Sequence, residues 1–243
     1  EIAKKQADVT VASIFVNPTQ FNDINDFNKY PNTIEQDIYQ LEKTGCDVLF
    51  LPSVDEIYPA GNTTIHYEIG FLEGVLEGEF RPNHFQGVCQ VVHRLLKIVA
   101  PTHLFLGQKD YQQCMVIKKL IEILHLPVSL VICPTERETD GLAMSSRNMR
   151  LNEAERKTAI SIYEALSLVK ENLVPGRLNA IKEKATAYLL AKKFKVDYVE
   201  IARADTLETI ENWDGNTKLV LLAAAFLNEV RLIDNITVNP HSF

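Results

Sequence analysis

The sequence is poor in the residue patterns that build metal centres, disulfide frameworks and membrane spans. Its cysteines are Cys46, Cys89, Cys114 and Cys133. They lie far apart and form no C-x-x-C pair, which excludes the usual zinc and redox spacings and favours a reducing, cytoplasmic setting. No apolar run reaches the roughly 18 residues that a membrane-spanning helix needs. The opening residues, EIAKKQ, also lack the pattern of a secretory signal. We therefore expect no membrane role.

Basic charge is also scarce. The chain has 25 Lys and Arg residues against 32 Asp and Glu residues, a net charge of -7, and no run that would form a basic patch. Because nucleic-acid binding depends on positive potential, we expect no nucleic-acid partner. The 46% hydrophobic and 23% charged content over 243 residues suits a globular protein with one large domain or two smaller ones.

The first half of the chain alternates strand and helix patterns. The run VTVASIFV at residues 9–16 predicts a strand buried on both faces. Residues 33–44 predict a helix, with Thr33 and Gln36 at capping-box spacing and Gly45 placed to end it. Further strands are predicted at 47–51, 103–106 and 128–133, and further helices at 88–99, before Pro101, and at 110–125. Alternation of this kind predicts an α/β fold with a parallel sheet.

The second half has a different composition. Residues 134–150 are charged and polar, which is typical of a connector. We place the domain boundary there, giving domains at residues 1–135 and 136–243. The second domain is predicted to be a small α+β unit. Its helices are expected at 152–172 and 178–194, and its strands near 198–201, 218–226 and 230–233.

Two polar loops follow predicted strands, where ligands of open parallel sheets bind. NPTQF at residues 17–21 offers side-chain amides for a carboxylate or hydroxyl. In GQKDYQQ at residues 107–113, Lys109 lies at a helix start suited to a phosphate, Asp110 is the natural N-cap, and Gln113 lies one turn further. The alternative is that Asn-Pro and Gly turns occur here for conformational reasons alone.

Three weaker clusters have equally plain alternatives. In EGEFRPNHFQG at residues 77–87, Arg81 or His84 could meet an anion, or Glu77 and Arg81 could form an exposed pair while His84 packs. The hydroxyls and guanidinium of MSSRN at residues 144–148 suit closure over a polyphosphate, or form a solvated hinge. Asp37 and Gln40, one helical turn apart, could hold hydrated magnesium or simply face water.

Six motifs, taken in order, resemble the pantothenate synthetases, or pantoate-beta-alanine ligases, over essentially the whole chain. They are FVNPTQF (15–21), YPNT (30–33), EGEFRPNHFQGV (77–88), GQKDYQQ (107–113), MSSRN (144–148) and RLIDN (231–235). The resemblance implies a Rossmann-like nucleotidylyltransferase domain, a smaller C-terminal α+β lid domain and a homodimer. It also implies that ATP activates pantoate as pantoyl adenylate, which then reacts with beta-alanine.

The same resemblance assigns a role to each matching residue. Pantoate is expected at Asn17, Gln20, Tyr30 and Gln113. ATP is expected at Gly107, Lys109, Asp110, Met144, Ser145, Ser146 and Arg147. The catalytic groups among these are expected to be Lys109, Ser145, Ser146 and Arg147. Magnesium is expected near Asp37 and Gln40, while Arg81 and Glu77 are expected at the cavity wall and dimer side.

The sequence departs from the family pattern at two places. Position 108 is Gln where the family usually has Glu, and the family's His-x-Gly-His motif would lie upstream of Glu1. From the second departure we expect little turnover from these residues alone. Two alternatives stay open: an inactive nucleotide- or pantoate-binding fragment, and a sister nucleotidylyltransferase with another substrate.

Overall fold

The computed structural model describes residues 1–20, 27, 29, 31, 33–59 and 65–240. The chain divides into two compact units. The first unit contains Glu1–Leu106 and Val116–Cys133, and the second contains Gly107–Met115 and Pro134–Phe243. The predicted division at residue 136 remains a prediction about domains, and it differs from these units in leaving residues 107–115 with the N-terminal half.

The first unit contains two pairs of short strands. β1 (Val11–Ser13) pairs in parallel with β2 (Val48–Phe50), and β3 (His103–Gly107) is hydrogen-bonded to β4 (Ser129–Cys133). The prediction that residues 9–16 are buried on both faces is wrong, because Val9 is 63% and Val11 41% exposed. In the described residues β1 pairs with β2 alone. An apolar β-prone run predicts extended backbone, but burial depends on what packs against it.

The first helix, α1 (Ile34–Lys43), ends as predicted. Gly45 takes a φ of 73°, its N–H bonds the carbonyl of Glu42, and the Cys46 N–H bonds that of Leu41. The predicted capping box at its start is wrong. Thr33 is the N-cap residue, but its ψ of 21° is not the extended conformation usual for a cap, and its side chain makes no cap bond. Its hydroxyl donates instead to Asp37 Oδ2 at 2.8 Å.

The long helix of the first unit confirms the amphipathic prediction and begins earlier than predicted. After α2 (Val54–Ile57) and α3 (Glu77–Phe80), α4 runs over His84–Val99 and buries Phe85, Val88, Cys89, Val91 and Leu96. It ends where Ala100 takes a left-handed φ of 47°, just before Pro101. Helix α5 (Tyr111–Ile123) follows β3 through a 3₁₀ turn at Gln108–Asp110.

The second unit is an α+β layer, as predicted. An antiparallel sheet has the order β6 (Lys195–Arg203), β8 (Leu219–Leu227), β9 (Val230–Val238), and a short pair joins β5 (Gly176–Arg177) to β7 (Asn212–Trp213). The helix predicted at 152–172 is two helices, α6 (Glu153–Ala159) and α7 (Ser161–Glu171), and α8 spans Asn179–Ala191. These helices and the sheet share one apolar core, which includes Ile162, Leu166, Leu189, Trp213 and Leu221.

The described part of the chain contains neither a membrane-spanning helix nor a disulfide. None of its helices combines the length and apolar character required to cross a bilayer. The four cysteines are free thiols, with Cys89 and Cys114 buried.

Candidate active site

Asn17 organises the loop that follows β1. Its side chain is 1% exposed, and its Nδ2 donates to the Gly87 carbonyl at 3.1 Å. Its Oδ1 accepts from the hydroxyls of Thr19 and Tyr58, each at 3.0 Å. Burial raises the pKa of Tyr58, so this phenol stays protonated and donates at neutral pH. Asn17 thus ties the loop to α4 and to Tyr58.

Gln20, at the end of the 3₁₀ turn Pro18–Gln20, is held through its backbone. Its carbonyl accepts from His84 Nδ1 at 2.8 Å and from Arg81 Nη2 at 3.4 Å. Its half-buried side-chain amide makes no hydrogen bond to another described residue. The backbone is therefore fixed while the amide stays available.

The Glu77–Arg81 pair is a partly buried support for this loop. The alternative of an exposed pair is wrong, because Glu77 is only 8% exposed. Its Oε2 lies 4.0 Å from Arg81 Nη1, and the same guanidinium reaches the Gln20 carbonyl. The segment before α4 consequently belongs with the NPTQ loop.

Gly87 allows the loop to lie directly on α4. A Cβ placed on Gly87 would lie 2.4 Å from the Thr19 carbonyl oxygen and 3.0 Å from Gln20 Cα. Real Cβ atoms do not approach backbone atoms this closely. Glycine at this position therefore sets how near Gln20 lies to the helix.

In the second unit, Lys109 lies in the 3₁₀ turn before α5. Its side chain is 20% exposed, and its Nζ is 3.9 Å from Asp110 Oδ1. Gln113 is half-buried one turn into α5, and its side-chain amide makes no hydrogen bond within the described part of the chain. Lys109 and Gln113 thus lie in one short segment, with charge and amide both available.

Tyr111 anchors the start of α5. The residue is 7% exposed, and its hydroxyl donates to the Ala204 carbonyl at 2.7 Å. Burial raises its pKa to about 12, with smaller contributions from Cys114 and Asp205. The phenol is therefore a neutral donor at physiological pH.

Asn235 supports the Lys109 turn from β9. This side chain is 2% exposed, and its Nδ2 donates to the carbonyls of Gln108 and Lys109, both at 2.9 Å. Its Oδ1 accepts from Gln108 Nε2 at 3.1 Å. Asn235 was not among the residues predicted to have a role. The available signal was a polar Asp-Asn pair inside an otherwise apolar strand pattern.

The preceding residue, Asp234, holds a second loop. Its fully buried carboxylate accepts two bonds from Arg137, at 2.7 and 2.9 Å. Arg137 also donates to the carbonyls of Gly141 and Asn235 and lies 4.2 Å over the Tyr163 ring. Arg137 is thereby fixed at the start of the segment that leads to MSSRN.

The MSSRN segment is a hydrogen-bonded turn. Ser145 caps the 3₁₀ turn Ser146–Arg150 by accepting from the Arg147 N–H at 3.3 Å, and Met144 is 53% exposed. Asn148 donates to Glu138 and to the Ala143 carbonyl. Glu138 in turn pairs with Arg156, which also binds Asp140. The turn that contains Ser145, Ser146 and Arg147 is therefore stabilised by hydrogen bonds from Asn148.

Asp37 and Gln40, the predicted magnesium contacts, offer few donor atoms to a metal ion. Asp37 Oδ2 already accepts from Thr33, and Gln40 is exposed. Within the described residues there is no cluster of three or more His, Cys, Asp or Glu side chains suited to a metal. Magnesium in nucleotide enzymes needs only one or two carboxylates beside phosphates and water. Asp37 and Gln40 would therefore suit only a largely hydrated magnesium ion.

The structure groups some predicted residues and leaves others unplaced. Asn17 and Gln20 share one loop of the first unit, whereas Gly107 to Gln113 and Met144 to Arg147 belong to the second. Tyr30 lies outside the described residues. That Gln20 and Gln113 face one cleft remains a prediction.

A cavity of about 670 Å³ lies in the second unit, lined by residues that include Gln108, Arg137, Tyr163 and Asn235. Lys109, Gln113 and Arg147 are not among its lining residues. The cavity is therefore lined by side chains that support the two turns, such as Arg137 and Asn235, and not by the groups expected to contact ATP.

Comparison with known proteins gives consistent results. The family model described as pantoate-beta-alanine ligase matches residues 1–237. A pantothenate synthetase of Leptospira biflexa serovar Patoc is 45% identical over 242 residues, covering 98% of this chain and 85% of that protein. One from Acinetobacter baylyi is 45% identical over 237 residues, covering 97% and 83%.

Solved structures confirm the predicted fold class. The crystal structure of pantothenate synthetase from Thermus thermophilus superposes with a TM-score of 0.90 at 39% identity, covering 98% of this chain and 87% of that one. Pantoate-beta-alanine ligase from Francisella tularensis, complexed with beta-gamma ATP and beta-alanine, gives a TM-score of 0.79 at 36% identity, covering 98% and 84%. The chain belongs to the pantoate-beta-alanine ligase family.

Proposed function

We propose that this chain is an ATP-dependent ligase that joins pantoate to beta-alanine, giving pantothenate, AMP and pyrophosphate. The observation that carries this function is the family match over residues 1–237. The anchored loops that present Gln20 and Lys109 are the local features that agree with it.

A carboxylate is a poor acyl donor, so it must first be activated. A pantoate carboxylate oxygen attacks the α-phosphorus of ATP, forming an O–P bond as the bond to pyrophosphate breaks. The beta-alanine amine then attacks the acyl carbon of pantoyl adenylate, loses a proton, and displaces AMP. Both steps depend on positioning and on neutralising phosphate charge.

Pantoate is assigned to side-chain amides. Gln20 and Gln113 would grip its carboxylate and hydroxyls, since an amide both donates and accepts. The support for Gln20 is a fixed backbone and a half-buried side-chain amide that has no hydrogen-bond partner among the described residues. Asn17 shapes the loop beneath the ligand, and Tyr30, which lies outside the described residues, is assigned to pantoate by the resemblance alone.

ATP is assigned to the second unit. Lys109 would meet the phosphates beside Gly107, and Ser145, Ser146 and Arg147 would close over them, with Met144 nearby and Asp110 near the sugar. The support is that Lys109 and Arg147 stand on two short turns of one compact unit. A cation and hydroxyls at short turns suit phosphate oxygens.

Magnesium is assigned to Asp37 and Gln40, as a hydrated ion that would neutralise part of the phosphate charge. The division at residue 136 would separate a Rossmann-like domain that binds ATP and pantoate from a C-terminal lid. A homodimer with Glu77 and Arg81 on the dimer side, and a cytoplasmic location that suits four free thiols, complete the proposal.

Exchange of labelled pyrophosphate into ATP, with pantoate present and beta-alanine absent, tests the adenylation step. We expect exchange to require pantoate and Gln20→Ala to raise the pantoate concentration needed, while the exposed Gln6→Ala leaves it unchanged. Exchange supported equally by other hydroxy acids would favour a sister nucleotidylyltransferase. Calorimetric binding of ATP or pantoate without any exchange would favour a binding fragment.

A further inference from the structure

Asp234 and Asn235 are neighbours in β9, yet each fixes a different loop. Asn235 holds the turn that carries Lys109, and Asp234 holds Arg137, at the start of the segment that leads to Ser145 and Arg147. Both residues are 2% exposed. Polar groups that deep in a sheet persist where their hydrogen bonds are complete.

The bonds to the Lys109 turn have a specific geometry. One amide nitrogen donates to two successive carbonyls, those of Gln108 and Lys109, at 2.9 Å each. Such a double donation fixes the peptide planes on both sides of the Lys109 Cα. It therefore sets the direction in which the lysine side chain leaves the turn.

The bonds to Arg137 act in the same way on the other segment. The carboxylate of Asp234 binds both terminal nitrogens of Arg137, and Arg137 also bonds the Gly141 carbonyl across the turn. An isolated β-bridge joins Arg137 to Ala143, immediately before Met144. The start of MSSRN is thus held mainly by Asp234, the residue of β9 next to the one that holds the lysine turn.

We infer that Asp234 and Asn235 are positioning residues that set the separation of Lys109 from the Ser145–Arg147 turn, and so preorganise the clamp on the ATP phosphates. The inference rests on the proposed function of those two turns. It adds that their geometry is controlled from β9.

A double-mutant cycle tests the role of Asn235. Asn235→Ala is expected to lower the pantoate-dependent exchange rate by about 10-fold to 100-fold with little change in pantoate KM. In a Lys109→Met background the same change is expected to cost less than about 3-fold, because it acts through the lysine. Equal fold losses in both backgrounds would overturn the inference.

Asn172→Ala is the matched control, since Asn172 Nδ2 also donates to a carbonyl, that of Leu168, at 2.9 Å. Asn172→Ala should leave the rate of pyrophosphate exchange unchanged.

Hydrogen exchange of the amides in residues 108–111 supplies a readout independent of catalysis. Faster hydrogen exchange at these amides in Asn235→Ala, beyond any change at amides elsewhere in the second unit, supports the tether even if no variant turns over. Unchanged hydrogen exchange at these amides overturns the inference. A wild-type protein that shows no pyrophosphate exchange but keeps these amides protected counts against the proposed function alone.

Discussion

The carbonyl oxygen of Thr19 lies 2.4 Å from the point that a Cβ on Gly87 would occupy. The NPTQ loop and helix α4 are therefore in direct backbone contact, and Asn17 closes the contact with a bond to the Gly87 carbonyl. The position of Gln20 therefore depends on residue 87 being a glycine, which has no side chain to push the loop away.

Gly87→Ala is expected to move the loop and weaken pantoate use. Alanine in a helix gains up to about 1 kcal/mol over glycine, but overpacking against backbone costs about 1–3 kcal/mol. A displacement near 1 Å can lower kcat/KM on the order of 100-fold. Steady-state kinetics against pantoate measure this, with Gly74→Ala as the control because a Cβ there meets nothing within 4 Å. Equal kinetics for both variants would contradict the contact.

Lys109→Met is expected to slow pantoate-dependent exchange by about 100-fold to 1000-fold, the usual cost of losing one preorganised electrostatic group. Pantoate binding should change little, since the ammonium is assigned to phosphate. Calorimetry and exchange kinetics together check this. Lys118→Met, at an exposed position of α5, should behave as wild type, and a Lys109 variant with full exchange would remove this lysine from the clamp.

Tyr111→Phe is expected to destabilise the protein by about 1–3 kcal/mol, because the buried Ala204 carbonyl loses the hydroxyl that donates to it. Denaturant unfolding measures the change. Tyr188→Phe is the matched control, since its hydroxyl donates to Glu164 in an exposed pair. A loss no larger than that of the control would show that water replaces the bond.

Asp47 should make stability depend on acid pH. Bonds from Lys4 and from the N–H and hydroxyl of Thr10 lower its pKa well below the usual 3.8. Its contribution is therefore complete above pH 3.8 and is lost as pH falls from there toward the folded-state pKa. Asp47→Asn should melt at a lower temperature than wild type at neutral pH, and the difference should shrink below pH 3.8. A difference independent of pH would contradict this.

Local patterns predicted much of this fold. The spacing of Val88, Val91 and Leu95 indicated α4, and Gly45 marked the end of α1. The helix break at Ile160 was missed because that residue keeps right-handed helical dihedral angles, so the apolar period continues across it. The exposure of Val11 was missed because a pattern does not show what covers a strand.

The candidate site was predicted unevenly for a similar reason. Loops after strands can be recognised from turn residues, and Gln20 and Lys109 stood out there. Asn235 acts through bonds to backbone atoms that lie 127 and 126 positions away in sequence. Only the fold brings such groups together, so the residues that hold a site are harder to predict than those that face it.

The hairpin between β8 and β9 turns on two residues, Asn228 and Glu229, with Asn228 at a left-handed φ of 50°. From there nine uninterrupted pairs run from Leu227 opposite Val230 to Leu219 opposite Val238. Side chains alternate along a strand, so inserting or deleting one residue in this turn would exchange the faces of Asp234 and Asn235. A change in loop length, usually tolerated at a protein's periphery, would here remove the support of the Lys109 turn and of Arg137 and so lower activity.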